Sequence, residues 1–141
     1  MALEQVGINQ TLSKDFTLVK PTTVRVYGTG ENCSTDFLSW CDYGWIESKK
    51  GKLLWQMPGQ PAKSAGGAAK NQVVDQLIRL PAGQYRLRYK SDGGHAYNNW
   101  DSAPPFHFIW GIILYQPAPG SSKSTKITHL IPTKLSSLQS N

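Results

Sequence analysis

Between Gln84 and Lys90 the chain alternates without a break, Tyr85, Leu87 and Tyr89 against Arg86, Arg88 and Lys90. A period of two is the geometry of a β-strand, whose successive side chains point to opposite faces, so this run has one apolar face for a core and one basic face for water. Pro81-Ala82-Gly83 makes a tight turn into it, and Gln72–Leu80 reads as the strand before that turn. Beyond it a polar, aromatic-rich loop leads to Phe106–Tyr115, apolar on both faces as a central strand covered on both sides would be. The pattern describes an all-β domain with one elaborated loop.

The rest of the chain fits that class. Asp15–Val19 (DFTLV) is a short strand ended by Lys20-Pro21, and Thr22–Tyr27 sets Val24 and Val26 against Thr23, Arg25 and Tyr27. The polar, glycine-containing stretch Gly28–Ser39 reads as a loop. Tyr43–Glu47 and Lys52–Met57 flank SKKG as a hairpin in which Gly51 can take positive φ. Pro58–Lys70 has almost no large side chains and reads as an exposed loop of low order. Leu3–Leu12 alternates weakly, and KITHLI, Lys126–Ile131, is a further strand after the linker QPAPGSSKST. Eight or nine turn-separated strands suit a single jelly-roll-like β-sandwich with terminal extensions. Residues 1–14 are then an N-terminal extension with an exchangeable strand, 15–115 the sandwich, and 116–141 a linker with a C-terminal strand and tail. Leu87 and Ile112, on the apolar phases of strong strands, belong in the core.

A chain of 141 residues can bury a core of its own, and five Trp, six Tyr and four Phe supply much of it. The net charge of +6 permits attraction to polyanions, but the basic residues are scattered, the densest group being Lys49, Lys50 and Lys52 at a turn. No stripe of bases interleaved with stacking aromatics is visible, which argues against a nucleic-acid partner. No apolar run approaches the roughly 18 residues of a membrane span, and the N-terminus lacks the basic and apolar regions of a secretory signal. Cys33 and Cys41 are compatible with a disulfide, and their spacing leaves the redox state open.

The densest polar cluster is Asp92, His95, Asn98, Asn99 and Asp101. Its carboxylate and amide oxygens beside Gly-Gly are of the type that ligates Ca²⁺, but the spacing matches no EF-hand, and Asp-Gly-Gly and Asn-Asn are equally turn chemistry, so no metal is assigned. Tyr97 and Trp100 lie in the same loop and are expected to be accessible, whereas Trp45, Trp55 and Trp110 sit in strands and read as core. Rings with adjacent hydrogen-bonding groups suit sugar binding, which makes Asp92, His95, Tyr97, Asn98, Trp100 and Asp101 the candidate ligand site. No catalytic residue is assigned. Cys33 or Cys41 with His95 lacks any local signature of a nucleophile and base, and AGGAAKN lacks the GK[ST] that opens a helix in a phosphate loop. The chain reads as a non-enzyme without a cofactor.

The succession FTLVKPTTVRVYGTG, SKKGKLLWQM, LIRLPAGQYRLRY and a closing hydrophobic strand resembles the pre-peptidase C-terminal type of bacterial β-sandwich over Asp15–Tyr115. YGWIES, AGGAAKN, LPAGQY, SDGGHAYNNW and PPFHFIWGI are similar to an uncharacterised bacterial β-sandwich domain carried by larger exported proteins. The resemblance implies an accessory module and an extracellular or cell-surface location. The strand character of both termini adds the leading expectation, self-association into a homo-oligomer or fibre by strand addition. Carbohydrate binding through the 92–101 loop is the alternative.

Overall fold

The computed structural model describes residues 1–34 and 39–118. Nine strands form: β1 Ala2–Leu3, β2 Thr11–Leu18, β3 Thr22–Asn32, β4 Trp40–Ser48, β5 Leu53–Gln56, β6 Lys63–Ser64, β7 Asn71–Leu80, β8 Gly83–Lys90 and β9 Ile112–Tyr115. They pair antiparallel in the orders β1-β9-β3-β7-β6 and β2-β8-β4-β5, and the two groups meet where β3 touches β4 at Glu31↔Asp42 and Asn32↔Trp40. With β6 set aside as a short edge addition, these are the two four-stranded sheets of a jelly roll. The all-β sandwich expected from the alternation is what forms.

Between the sheets lies one core. Tyr85, Leu87 and Tyr89 of β8 and Phe16 and Leu18 of β2 meet Val24 and Val26 of β3, Val74 and Leu80 of β7, and Ile112 and Leu114 of β9, with Ile46, Trp55 and Met57 closing it. Leu87 and Ile112 are fully buried, as their phases require. A smaller cluster of Tyr27, Ile109 and Ile113 covers part of the outer face of the first sheet. This is why Tyr27, on the opposite phase from Val24 and Val26, is buried as well.

Several expectations change. β3 continues through Gly28 and Gly30 to Asn32, so the first part of the anticipated Gly28–Ser39 loop is strand. These glycines serve close approach rather than turning: a Cβ on Gly28 would lie 2.6 Å from Met57 Sδ, and one on Gly30 would overlap the Asp42 carbonyl oxygen. Phe106–Tyr115 is not one strand, because His107–Ile109 forms a 3₁₀ turn and only Ile112–Tyr115 is extended. The break is at Gly111, at φ +148°, whose missing side chain lets the backbone pass the Leu3 carbonyl. Pro58–Lys70 is only partly exposed, with Pro58 buried, and is not featureless. Lys63–Ser64 pairs with β7, and Gly66 and Gly67, both at positive φ, pack on Pro105 and on the Ser102 and Ala103 carbonyls.

The N-terminal segment belongs to the sandwich. Ala2 and Leu3 pair with Ile113 and Ile112, and the whole of Thr11–Leu18 pairs with β8. The strand read as exchangeable therefore finds its partner within its own chain. The C-terminal candidate, KITHLI, lies outside the described residues. The SKKG hairpin is present with Gly51 at φ +87°, although Tyr43 and Trp45 on its outer face are half-exposed, where Lys90 and Arg88 sit over their rings at 5.1 and 5.2 Å.

Truncating Leu87 to Ala is expected to cost about 2–5 kcal/mol in urea-denaturation measurements, the range for a fully buried large-to-small change. Gly30→Ala should also destabilise, since its Cβ has backbone rather than a flexible side chain to displace; unchanged midpoints for both would contradict the packing described.

Candidate functional site

One end of the jelly roll gathers four stretches distant in sequence: residues 4–10, the described residues at the end of β3 and the start of β4, residues 65–70, and the long connection 91–111 from β8 to β9. They meet because β3 and β8 end there while β4, β7 and β9 begin there. The described cysteines are joined across the second of them, Cys33 to Cys41 with Cα atoms 5.8 Å apart, which settles their pairing and removes either as a thiol nucleophile beside His95.

Two buried polar side chains hold this end together. Asp42 accepts the Asp92 backbone N–H at Oδ1, 2.9 Å, and the Trp110 indole N–H at Oδ2, 3.1 Å. Asn71 donates from Nδ2 to the Gly66 and Ser102 carbonyls, each at 3.0 Å, which orients its Oδ1 toward His95 Nε2 at 2.7 Å. An amide oxygen can only accept, so His95 carries its proton on Nε2. Burial holds this imidazole below its ordinary pKa, and the charge of Lys70 adds to the effect. The fixed ring stands edge-on to Trp110, centroids 5.4 Å apart.

Of the residues expected to form a ligand site, the structure leaves only some accessible. Asp92 is held by its backbone to Asp42, while its own Oδ1 accepts the Gly94 N–H at 3.0 Å in a local turn. His95 is buried. Asn98 is exposed at φ +63°, a turn position tolerated by Asn. Asp101 is exposed and 3.2 Å from Lys70 Nζ, which lies equally close to Glu31 Oε1. Tyr97 and Trp100 are half-buried partners, 5.5 Å apart and edge-on. Thus the Ca²⁺-like cluster Asp92, His95, Asn98, Asn99 and Asp101 is divided among separate contacts: Asn99 donates to the Gly94 carbonyl, and Asp92, His95 and Asp101 each turn to a different partner.

A different group, Glu31, Cys41 and Asp92, brings candidate ligand atoms within 4.8 Å of one another. The Cys41 sulfur is committed to its disulfide, and Glu31 is already paired with Lys70, so the group is not a formed metal centre.

The aromatic surface is larger than the sequence suggested. Trp100 contacts Tyr97, His107 and Trp110; His107 contacts Phe108, and Phe108 contacts Phe106, each pair with centroids 5.5–6.2 Å apart and rings strongly tilted. Phe106 and Phe108 are 38% and 50% exposed. Both were hidden in a run that reads as strand, since Phe-His-Phe mimics alternation. Only Pro104-Pro105 ahead of it signalled a turn. Behind the rings, Glu31 Oε2, His95 Nδ1 and Trp100 Nε1 are buried and have no hydrogen-bond partner among the described residues.

No protein-family model, curated protein or solved structure matches the chain. The site therefore rests on its own geometry, of which the buried acids give a direct test. Burial pushes the Asp42 pKa up to about 7 and raises that of Glu31. The folded state then holds more protons than the unfolded chain from about pH 4 to 7, so these groups contribute stability at low pH that is lost as pH rises through that window. Chemical-denaturation midpoints of the wild type, taken relative to those of Asp42→Asn, should fall with rising pH across it.

Proposed function

We propose that the protein is a non-catalytic binding module that recognises a glycan at its aromatic end. The observation that carries this reading is the continuous group of rings from Tyr97 through Trp100 and His107 to Phe108 and Phe106, partly open to solvent and standing on a buried polar base. Aromatic faces stack on the apolar faces of sugar rings, and neighbouring polar groups hold the hydroxyls. Asn98, Asp101 and Lys70 provide such groups at the rim, which favours a polyhydroxylated ligand over a purely apolar one.

A binding role is favoured over catalysis because Asp42 and His95, the acid and the imidazole with shifted pKa behind the rings, face inward. Asp42 and His95 spend their hydrogen bonds on Trp110, the Asp92 backbone and Asn71, so they hold loops in place rather than meet a substrate. The Cys33–Cys41 disulfide supports an oxidising, extracellular setting of the kind the family resemblance implies. No helix among the described residues is long and apolar enough to cross a membrane.

A glycan array probed with the full chain, followed by titration calorimetry of the best ligand, tests the reading. Phe108→Ala should weaken binding about tenfold, roughly 1.4 kcal/mol, while moving stability by no more than about 0.5 kcal/mol, as for an exposed side chain. An array without a hit, or binding indifferent to Phe108, would reject the site.

A further inference from the structure

The outer edge of β7 is open. Beyond Val73, which faces Lys63 of β6, no strand among the described residues lies beside residues 74–80 on the side away from β3. The direction of the backbone groups follows from two bonds: the Asn32 N–H reaches the Lys70 carbonyl across the β3 side, whereas the Asn71 carbonyl accepts from Ala65 on the β6 side. Odd-numbered residues of β7 thus turn both N–H and C=O to the open edge, which places those of Asp75, Leu77 and Arg79 there. Leu77, between the two charges, is 37% exposed.

We propose that this edge pairs with the same edge of a second copy, antiparallel and centred on Leu77. In that register Leu77 faces Leu77 and each Arg79 faces an Asp75, whose carboxylate already holds Arg25 of its own chain at 2.6 Å, so the exposed apolar residue covers itself on the two-fold axis and Arg79 joins an existing ion pair from across the seam. Each outward-turned residue faces another outward-turned one, so the 77–77 and 75–79 pairs can exchange both backbone hydrogen bonds. Moving the centre to Asp75 or to Arg79 would set like charges on the axis, and centring on Gln76 or Ile78 would break the Asp–Arg pairing. The length also fits: Val74 would face Leu80, and beyond Leu80 the strand gives way to Pro81, which has no N–H to offer, leaving space for the partner's β6. On the opposite sheet, whose edges are β2 and β5, β2 lacks this self-complementarity, since its outward-turned residues are Thr11, Ser13, Asp15 and Thr17. The first sheet would become continuous across the dimer, leaving the aromatic end free in both copies.

Light scattering on the full chain should give a dimer. Leu77→Lys and Leu77→Asp each place like charges on the axis without touching an ion pair, and each is expected to weaken association at least about tenfold, or 1.4 kcal/mol. Mixed together they should form a heterodimer, Lys opposite Asp. A wild-type chain that stays monomeric at high concentration overturns the proposal, as do variants that remain dimeric alone or fail to combine when mixed. Slow hydrogen exchange at the Asp75, Leu77 and Arg79 amides in a monomer would mean that the chain's own segment beyond residue 118 covers the edge, and would equally overturn it.

Discussion

The carboxylate of Asp42 is the joint on which one end of this molecule turns. It sits at the start of β4, in the second sheet, and accepts from the backbone where β8 runs out and from the indole that precedes β9. A buried carboxylate is costly unless its oxygens are met, and here meeting them ties together the strand on which it lies and both ends of the long loop. Trp110 is thereby fixed, and with it the rings that rest on Trp100. Asn71 does the same for the other half of the end, taking the Gly66 and Ser102 carbonyls with one group and His95 with the other. An exposed aromatic surface keeps a defined shape only above such a base.

The N-terminus adds a second restraint. Ala2 and Leu3 extend the first sheet beside β9, Val6 donates to the Trp110 carbonyl, and Tyr97 donates back to the Val6 carbonyl. The segment that reads as an appendage is thus a wall of the aromatic end. Its strand is short and its alternation weak because its partners are backbone groups and a few core contacts, Leu3 and Val6 among them, rather than a long apolar face.

How much of this was legible depended on whether the signal was local. The alternation of β8, the phases of Val24 and Val26 and the Gly51 turn each need only the residues beside them, and each formed as read. Errors came where one residue type serves two purposes. Gly28 and Gly30 look like loop formers but lie in a strand pressed against Met57 and Asp42, and Phe106-His107-Phe108 looks like strand but runs into a 3₁₀ turn whose Ile109 packs on Tyr27 and Ile113. Asp92 and His95 read as ligand groups, yet their polarity serves the interior of the loop, whereas Phe106 and Phe108 carry the exposed surface.

By itself the sequence determined the class of fold and the faces of its main strands, because strand periodicity is written in consecutive residues and the hydrophobic effect acts on whichever face is apolar. The tertiary structure alone decided what stands beside what. Glu31 meets Asp42, Asp42 meets Trp110, and Asn71 meets His95 only after the strands have paired across the sandwich, and no spacing along the chain encodes those meetings. The basic face of β8 acquired aromatic neighbours, Tyr43 and Trp45, in the same way, through the β4–β8 register. A binding surface is made of such juxtapositions, so it appears only once long-range pairing has fixed them in space.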